Sequence, residues 1–204
     1  MIKNTYPGKF IVVEGIDGAG GETQTKKIIQ YLKKEKVPVA MLSYPDYKGP
    51  IGDVIQKYLY KKYNFSKEVQ FLLYFADFLK DKTRIQQWLS EGRTIIADRY
   101  FTSTIAYQCL DGFSLKRAIQ ISKLFNLVRP DLVIYLAISA EISIERKYKE
   151  KAGKLDRHEE DKKFLENLAR FYKDLAKEQI LAKWTVINGE LPIEEVFTQI
   201  KKLV

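Results

Sequence analysis

"FIVVEGIDGAGGETQTKKI", Phe10–Ile28, begins with four apolar residues and passes through a run of glycines into a helical pattern. Phe10–Val13 has the short, continuous apolar character of a strand buried on both faces. Gly15, Gly18, Gly20 and Gly21, with Ala19 among them, leave the backbone free to aim several N–H groups at one anion. A helix beginning near Thr23 adds the positive end of its dipole. Gly15 and Gly20 keep the spacing of the phosphate-binding pattern G-x-x-x-x-G-K-[ST], but Gly21 and Glu22 stand where its lysine and hydroxyl belong. The lysine would reach the β- and γ-phosphates and the hydroxyl would hold Mg²⁺. A carboxylate ~4 Å from polyphosphate costs on the order of 1–4 kcal/mol, so Glu22 either turns away or helps to hold a metal ion. Thr23 is the nearest replacement hydroxyl, displaced by one residue. On its own the segment reads equally as a working site, a disabled one, or a strand-to-helix turn without a ligand.

Outward from this loop, strand signals recur at Val39–Leu42, Thr94–Ala97, Leu132–Ala137 and Thr185–Ile187. Helical patterns lie between them at Thr23–Lys36, Ser66–Ser90, Ser114–Asn126 and Glu159–Gln179. In the last, Phe164, Leu168, Phe171 and Leu175 make an apolar stripe. Ser66, Ser114 and Ser139 occupy N-cap positions, and Pro192 suits the first turn of a final helix. Alternating strands and helices predict an α/β fold with a mostly parallel sheet and helices on both faces. No repeat, low-complexity tract or linker divides the chain, so one domain over residues 1–204 is expected.

The 204 residues are enough for one compact core, and 46% hydrophobic content sets the chain apart from disordered sequences. One cysteine, Cys109, excludes an internal disulfide and suits a reducing compartment. No apolar run reaches membrane-spanning length and no signal-peptide pattern opens the chain, so a soluble cytoplasmic protein is expected. The net charge of +9 favours anionic ligands without choosing among them. Nucleic acid finds no dedicated motif beside the charge, and Lys33-Lys34 and Lys61-Lys62 read as solvated helix faces.

Two further segments bear on a ligand. "DRYFTSTIAYQ", Asp98–Gln108, follows the third strand and so lies at the carboxyl edge, where open α/β sheets bind ligands. It offers a carboxylate, an arginine suited to bidentate phosphate contact, hydroxyls and an aromatic-amide pair. "LLYFADF", Leu72–Phe78, sets Tyr74 and Phe78 on one helical face. "RKYKEKAGKLDRHEE", Arg146–Glu160, is densely charged and interrupted by Gly153. It reads as an exposed helix end, or as a basic lid closing over phosphates.

Taken together, "EGIDGAGG", "YPDY", "LLYFADF", "DRYFTSTIAYQ", "RPDLVIYL" and "GKLDRHEE" resemble the thymidylate kinase family of nucleoside-monophosphate kinases, in order and through nearly the whole chain. The resemblance implies a P-loop-type three-layer sandwich with a five-stranded parallel sheet and a lid at about 146–160. It implies transfer of a phosphoryl group from ATP to dTMP with Mg²⁺, and a homodimer formed through helices such as Ser66–Ser90. It implies that Asp17 holds the sugar 3′-hydroxyl, that Arg99 grips the acceptor phosphate, and that Asp98 lies beside the metal and donor phosphates. Tyr74 falls at the thymine-stacking position. Pro45, Phe78, Ser103, Thr104, Tyr107 and Gln108 fall along the acceptor pocket, and Asn188 falls near the adenine.

Departures from the family accompany these matches. Phe78 replaces an arginine that reads the base, which opens dUMP as an alternative acceptor. Tyr47 replaces a phosphate-binding arginine, for which Lys48 is the neighbouring substitute, and Ala137 replaces an acidic residue. Phosphoryl transfer needs a cation in space rather than at one sequence position. The lid offers Arg146, Lys147, Lys149, Lys151, Lys154 and Arg157, of which Arg146 and Lys149 are the expected catalytic pair and Arg157 a further phosphate ligand. Without such a replacement the chain would bind nucleotide and regulate rather than catalyse.

Overall fold

A computed structural model describes all 204 residues. Five strands form one parallel sheet: β1 (Phe10–Glu14), β2 (Val39–Ser43), β3 (Thr94–Asp98), β4 (Leu132–Ala137) and β5 (Lys183–Asn188), in the order β2-β3-β1-β4-β5. All five expected strands form. β1 sits at the centre and every residue of it is buried, as its uninterrupted apolar run requires. The chain leaves β1 for β2 on one side and β3 for β4 on the other. Right-handed crossovers therefore put α1 (Gly21–Lys34) on one face and the helices between β2 and β5 on the opposite one. α1 packs with α9 (Ile193–Ile200), and α5 (Phe101–Leu110) and α7 (Ala140–Glu150) pack with α8 (Lys162–Lys177), which marks the two helical layers. A main cluster of 44 buried apolar residues joins sheet and helices. Each Ile, Leu or Phe in it contributes roughly 1.5–3 kcal/mol by burial.

Three expectations need correction. The helix expected over Ser66–Ser90 is two helices, α3 (Lys67–Leu79) and α4 (Lys82–Ser90), preceded in the chain by α2 (Pro50–Leu59). The break falls at Asp81, whose buried carboxylate accepts from Tyr44 Oη, Lys80 Nζ and Arg84 Nη2, so side-chain bonds fix a turn where apolar periodicity suggested continuity. In α8 the core stripe is Leu165, Leu168, Tyr172 and Leu175, with Phe164 and Phe171 only partly buried. The amphipathic face is rotated toward Tyr172, which stacks on Tyr135 at 5.1 Å.

The third concerns caps and the segment after β3. Ser66 and Ser114 cap α3 and α6 (Leu115–Leu124) through their side chains, as expected. Ser139 stands at the N-cap of α7, as expected, but makes no side-chain cap bond, and its backbone N–H donates to Glu190. Pro192 stands one residue before α9 rather than in its first turn. After β3 the chain forms α5, a helix outside the expected helical patterns.

Candidate active site

The register Val13↔Asp98 sets the loop after β1 beside the start of the loop after β3. Arg99 follows at once. Its N–H donates to Val13 O (2.9 Å) and its φ of +66° lies in the left-handed region. That conformation costs a non-glycine residue on the order of 1–3 kcal/mol and persists where surroundings enforce it. Here it turns the guanidinium inward. Nη1 donates to Gly15 O (2.8 Å) and to Ser103 Oγ (3.3 Å), Nη2 donates to Asp17 Oδ1 (2.8 Å), and the group lies over the Tyr107 ring. Asp17 Oδ2 also accepts from Tyr107 Oη (2.9 Å). Burial opposes ionisation of Asp17, but Arg99, the Tyr107 hydroxyl, Lys147 and His158 outweigh it and hold the carboxyl below its ordinary value.

Beneath this group Glu14 is fully buried and accepts from Tyr100 N, Thr102 Oγ1, Ser103 Oγ and Tyr172 Oη. Burial raises its carboxyl above the ordinary value, against Arg99 and the hydroxyls. These bonds pin the start of α5 to the end of β1. Sequence reasoning passed over Glu14. Its signal was a charged residue closing an apolar strand.

A cavity opens beside the Asp17–Arg99 pair. Pro45, Tyr74, Phe78, Ser103, Thr104, Tyr107 and Gln108 line it, so every expected acceptor-side residue converges there. Positions 103, 104, 107 and 108 share one face of α5, which is why the segment reaches the cavity as a set. Tyr44, Tyr47, Leu59, Asp156 and His158 complete the wall and were not expected there. The two tyrosines lie in the quoted "YPDY", whereas Asp156 and His158 lie in the lid, which was read only for its cations. Thr104 Oγ1, Gln108 Oε1 and His158 Nε2 are buried without partners. Unsatisfied buried polar atoms on a cavity wall are donors and acceptors left for a ligand. Phe78 is packed edge-on to Tyr44 (4.8 Å) and Tyr100 (5.3 Å), so it joins the core as much as the wall.

A larger cleft adjoins the cavity and contains Gly15, Gly18, Ala19, Gly20, Gly21, Glu22, Thr23 and Asp98. Gly18 (φ +77°) and Gly20 (φ +92°) take left-handed conformations, and α1 starts at Gly21 with no side-chain cap, leaving its first N–H groups to a ligand. Glu22 is exposed and pairs with Lys26 one turn along. Asp98 Oδ1 lies 2.5 Å from where a Cβ on Gly21 would stand. Burial first, then Glu14, Glu22 and Asp17, push the Asp98 carboxyl up to about 6 despite Arg99. No group of three or more His, Cys, Asp or Glu is gathered to hold a metal by protein ligands alone. Asp98 and Thr23 on the cleft wall suit a Mg²⁺ ion bound mainly by water and phosphate.

The expected cations divide. Arg146 lines the cleft and donates through Nη1 to Gly18 O and Gly189 O (3.1 Å each). Lys149 does not belong with it: its side chain is exposed and pairs with Glu145. Arg157 is likewise corrected, because its guanidinium stacks 3.9 Å from the Tyr58 ring centroid and donates to Tyr63 O and Asn64 Oδ1. Asn188 faces a separate groove with Val186 and Arg170, whereas the residues that follow it, from Gly189 to Ile193, line the cleft. The lid segment rests on the end of α2, with Arg157 N–H donating to Leu59 O (3.2 Å) and Lys61 paired with Glu160. Lys147 and Lys151 line the cleft, and so does Lys48.

A family model for thymidylate kinase matches residues 13–200. Relatives bearing the name thymidylate kinase include one from Plasmodium falciparum, 32% identical over 203 residues, covering 99% of this chain and 92% of the relative. One from Arabidopsis thaliana is 31% identical over 199 residues, covering 97% and 71%. One from Homo sapiens is 30% identical over 197 residues, covering 96% and 89%. With the parallel sheet, the glycine loop and the paired Asp17 and Arg99 in place, these matches identify the chain as a member of the thymidylate kinase family.

Proposed function

We propose that the chain transfers the terminal phosphoryl group of ATP to dTMP, giving ADP and dTDP. The observation that carries this reading is the Asp17–Arg99 pair, set between an aromatic cavity and the glycine-rich start of α1. A nucleoside monophosphate fits the cavity with its phosphate at Arg99 and its sugar at Asp17. Tyr74 stacks on the base, and the unpartnered Thr104 and Gln108 atoms meet the base edge. Tyr107 lies under the sugar. The loop N–H groups and the α1 dipole take the donor phosphates, and Arg146 and Gly189 border the nucleoside of ATP. Mg²⁺ would be held by Asp98 and Thr23 through water, neutralising charge on the polyphosphate.

The chain acts as one domain with a lid near 146–160. Exposed Leu72, Leu124 and Phe125 supply apolar surface for a homodimer. No helix is long and apolar enough to cross a membrane, and the lone Cys109 suits a reducing cytoplasm. The test is ADP release by the purified chain given ATP and Mg²⁺, with and without dTMP or dUMP. dTMP should stimulate release most, and no stimulation by either nucleotide overturns the reading.

A further inference from the structure

A phosphate loop without its lysine still faces a polyphosphate, and α7 is the element built against this one. Ser143 Oγ donates to Asp17 O (2.6 Å), and a Cβ on Gly18 would fall 3.0 Å from Ser143 O and 3.4 Å from Lys147 Cγ. The stem of Lys147 therefore runs along the loop, with the side chain 15% exposed and on the cleft wall. Its charge also acts on Asp17. Gly18 belongs to the proposed donor loop and Asp17 to the proposed acceptor pocket, so the Lys147 stem runs beside both.

The neighbouring cations are less free. Arg146 is held by two backbone carbonyls, and Lys151 by Glu159 (2.7 Å) and Asp156 (3.6 Å). Lys147 pairs with Glu150 at 2.9 Å, and Glu159 stands at 3.7 Å. The Glu150 carboxylate is mostly exposed, so water already competes for it and a phosphate readily displaces it from Lys147. At position 21 a Cβ would stand 2.5 Å from Asp98 Oδ1, so a side chain enters there only if the Asp98 carboxylate shifts. We infer that Lys147 supplies from α7 the cation that the phosphate loop lacks, while the Asp98 carboxylate occupies the space beside Gly21. The inference deepens the phosphoryl-transfer reading and rests on it.

The test uses the full chain with Lys147→Met, Lys147→Arg, Lys149→Met, Glu150→Gln and Gly21→Lys. Lys147→Met should lower kcat by about 100-fold or more while the dTMP KM stays within about threefold. Lys147→Arg should recover at least about a tenth of the parent rate, Lys149→Met and Glu150→Gln should stay within about threefold, and Gly21→Lys should bring no gain. An active Lys147→Met protein overturns the inference, as does a Glu150→Gln protein that reproduces its loss, since the lysine would then act only through that pair. If the parent makes no ADP, the kinase reading fails separately and calorimetry with ATP and Mg²⁺ decides. Lys147→Met should then bind about tenfold or more weakly than the parent, and equal binding, or none in either, overturns the inference.

Discussion

Arg99 Nη2 donates to Asp17 Oδ1 at 2.8 Å, tying the loop after β3 to the loop after β1. The pair joins the two halves of the proposed site. Arg99 also holds Gly15 O and lies over Tyr107, so a single guanidinium organises both loops. Arg99→Lys keeps the charge but loses the planar fork. It should lower kcat/KM for dTMP by about 100-fold, seen in steady-state kinetics, with ATP binding changed much less. A loss under about threefold would count against the placement of the acceptor phosphate.

Asp98 carries a pH prediction whose sign follows from burial. Its carboxyl moves from 3.8 to about 6, so the folded state keeps a proton that the unfolded chain releases. The stabilisation is complete below about pH 4 and is lost as pH rises through about 6. Asp98→Asn never ionises. It should gain up to about 3 kcal/mol relative to the parent between pH 4 and 8, read as diverging melting temperatures, while activity collapses. A constant difference across that range would contradict the burial argument.

Gln108 separates binding from stability. Its Oε1 is buried without a partner in the cavity wall. Gln108→Leu removes that unsatisfied atom and should change stability by less than about 1 kcal/mol, while raising the dTMP KM about tenfold or more. Denaturant unfolding and kinetics on the same preparation check both halves.

Phe78→Arg tests whether the family's base-reading arginine could simply be put back. Phe78 is 2% exposed between Tyr44 and Tyr100, so a guanidinium there enters the core. The substitution should cost about 2–4 kcal/mol without improving selection of dTMP over dUMP. A folded variant with sharpened selectivity would show that the pocket tolerates the change.

Much of the fold is legible because β1, β3 and β4 are buried on both faces and read as unbroken apolar runs. α5 is not, since Phe101–Ala106 are all buried and leave no amphipathic period to recognise as helix. On the acceptor side, family motifs named the lining residues and α5 gathered four of them. The cation was harder. In "RKYKEK" nearly every position is charged, so composition cannot say which side chain faces the loop, and only the seating of Ser143 and Lys147 against Gly18 distinguishes Lys147 from Lys149. The contact between Gly21 and Asp98 joins distant parts of the chain, and nothing local in the glycine run announces it.

The most direct test follows labelled phosphate. With ATP carrying label in its γ-phosphoryl group, Mg²⁺ and unlabelled dTMP, the label should appear in the β-phosphoryl group of dTDP in step with ADP. Label recovered only in ATP or in inorganic phosphate would contradict the account.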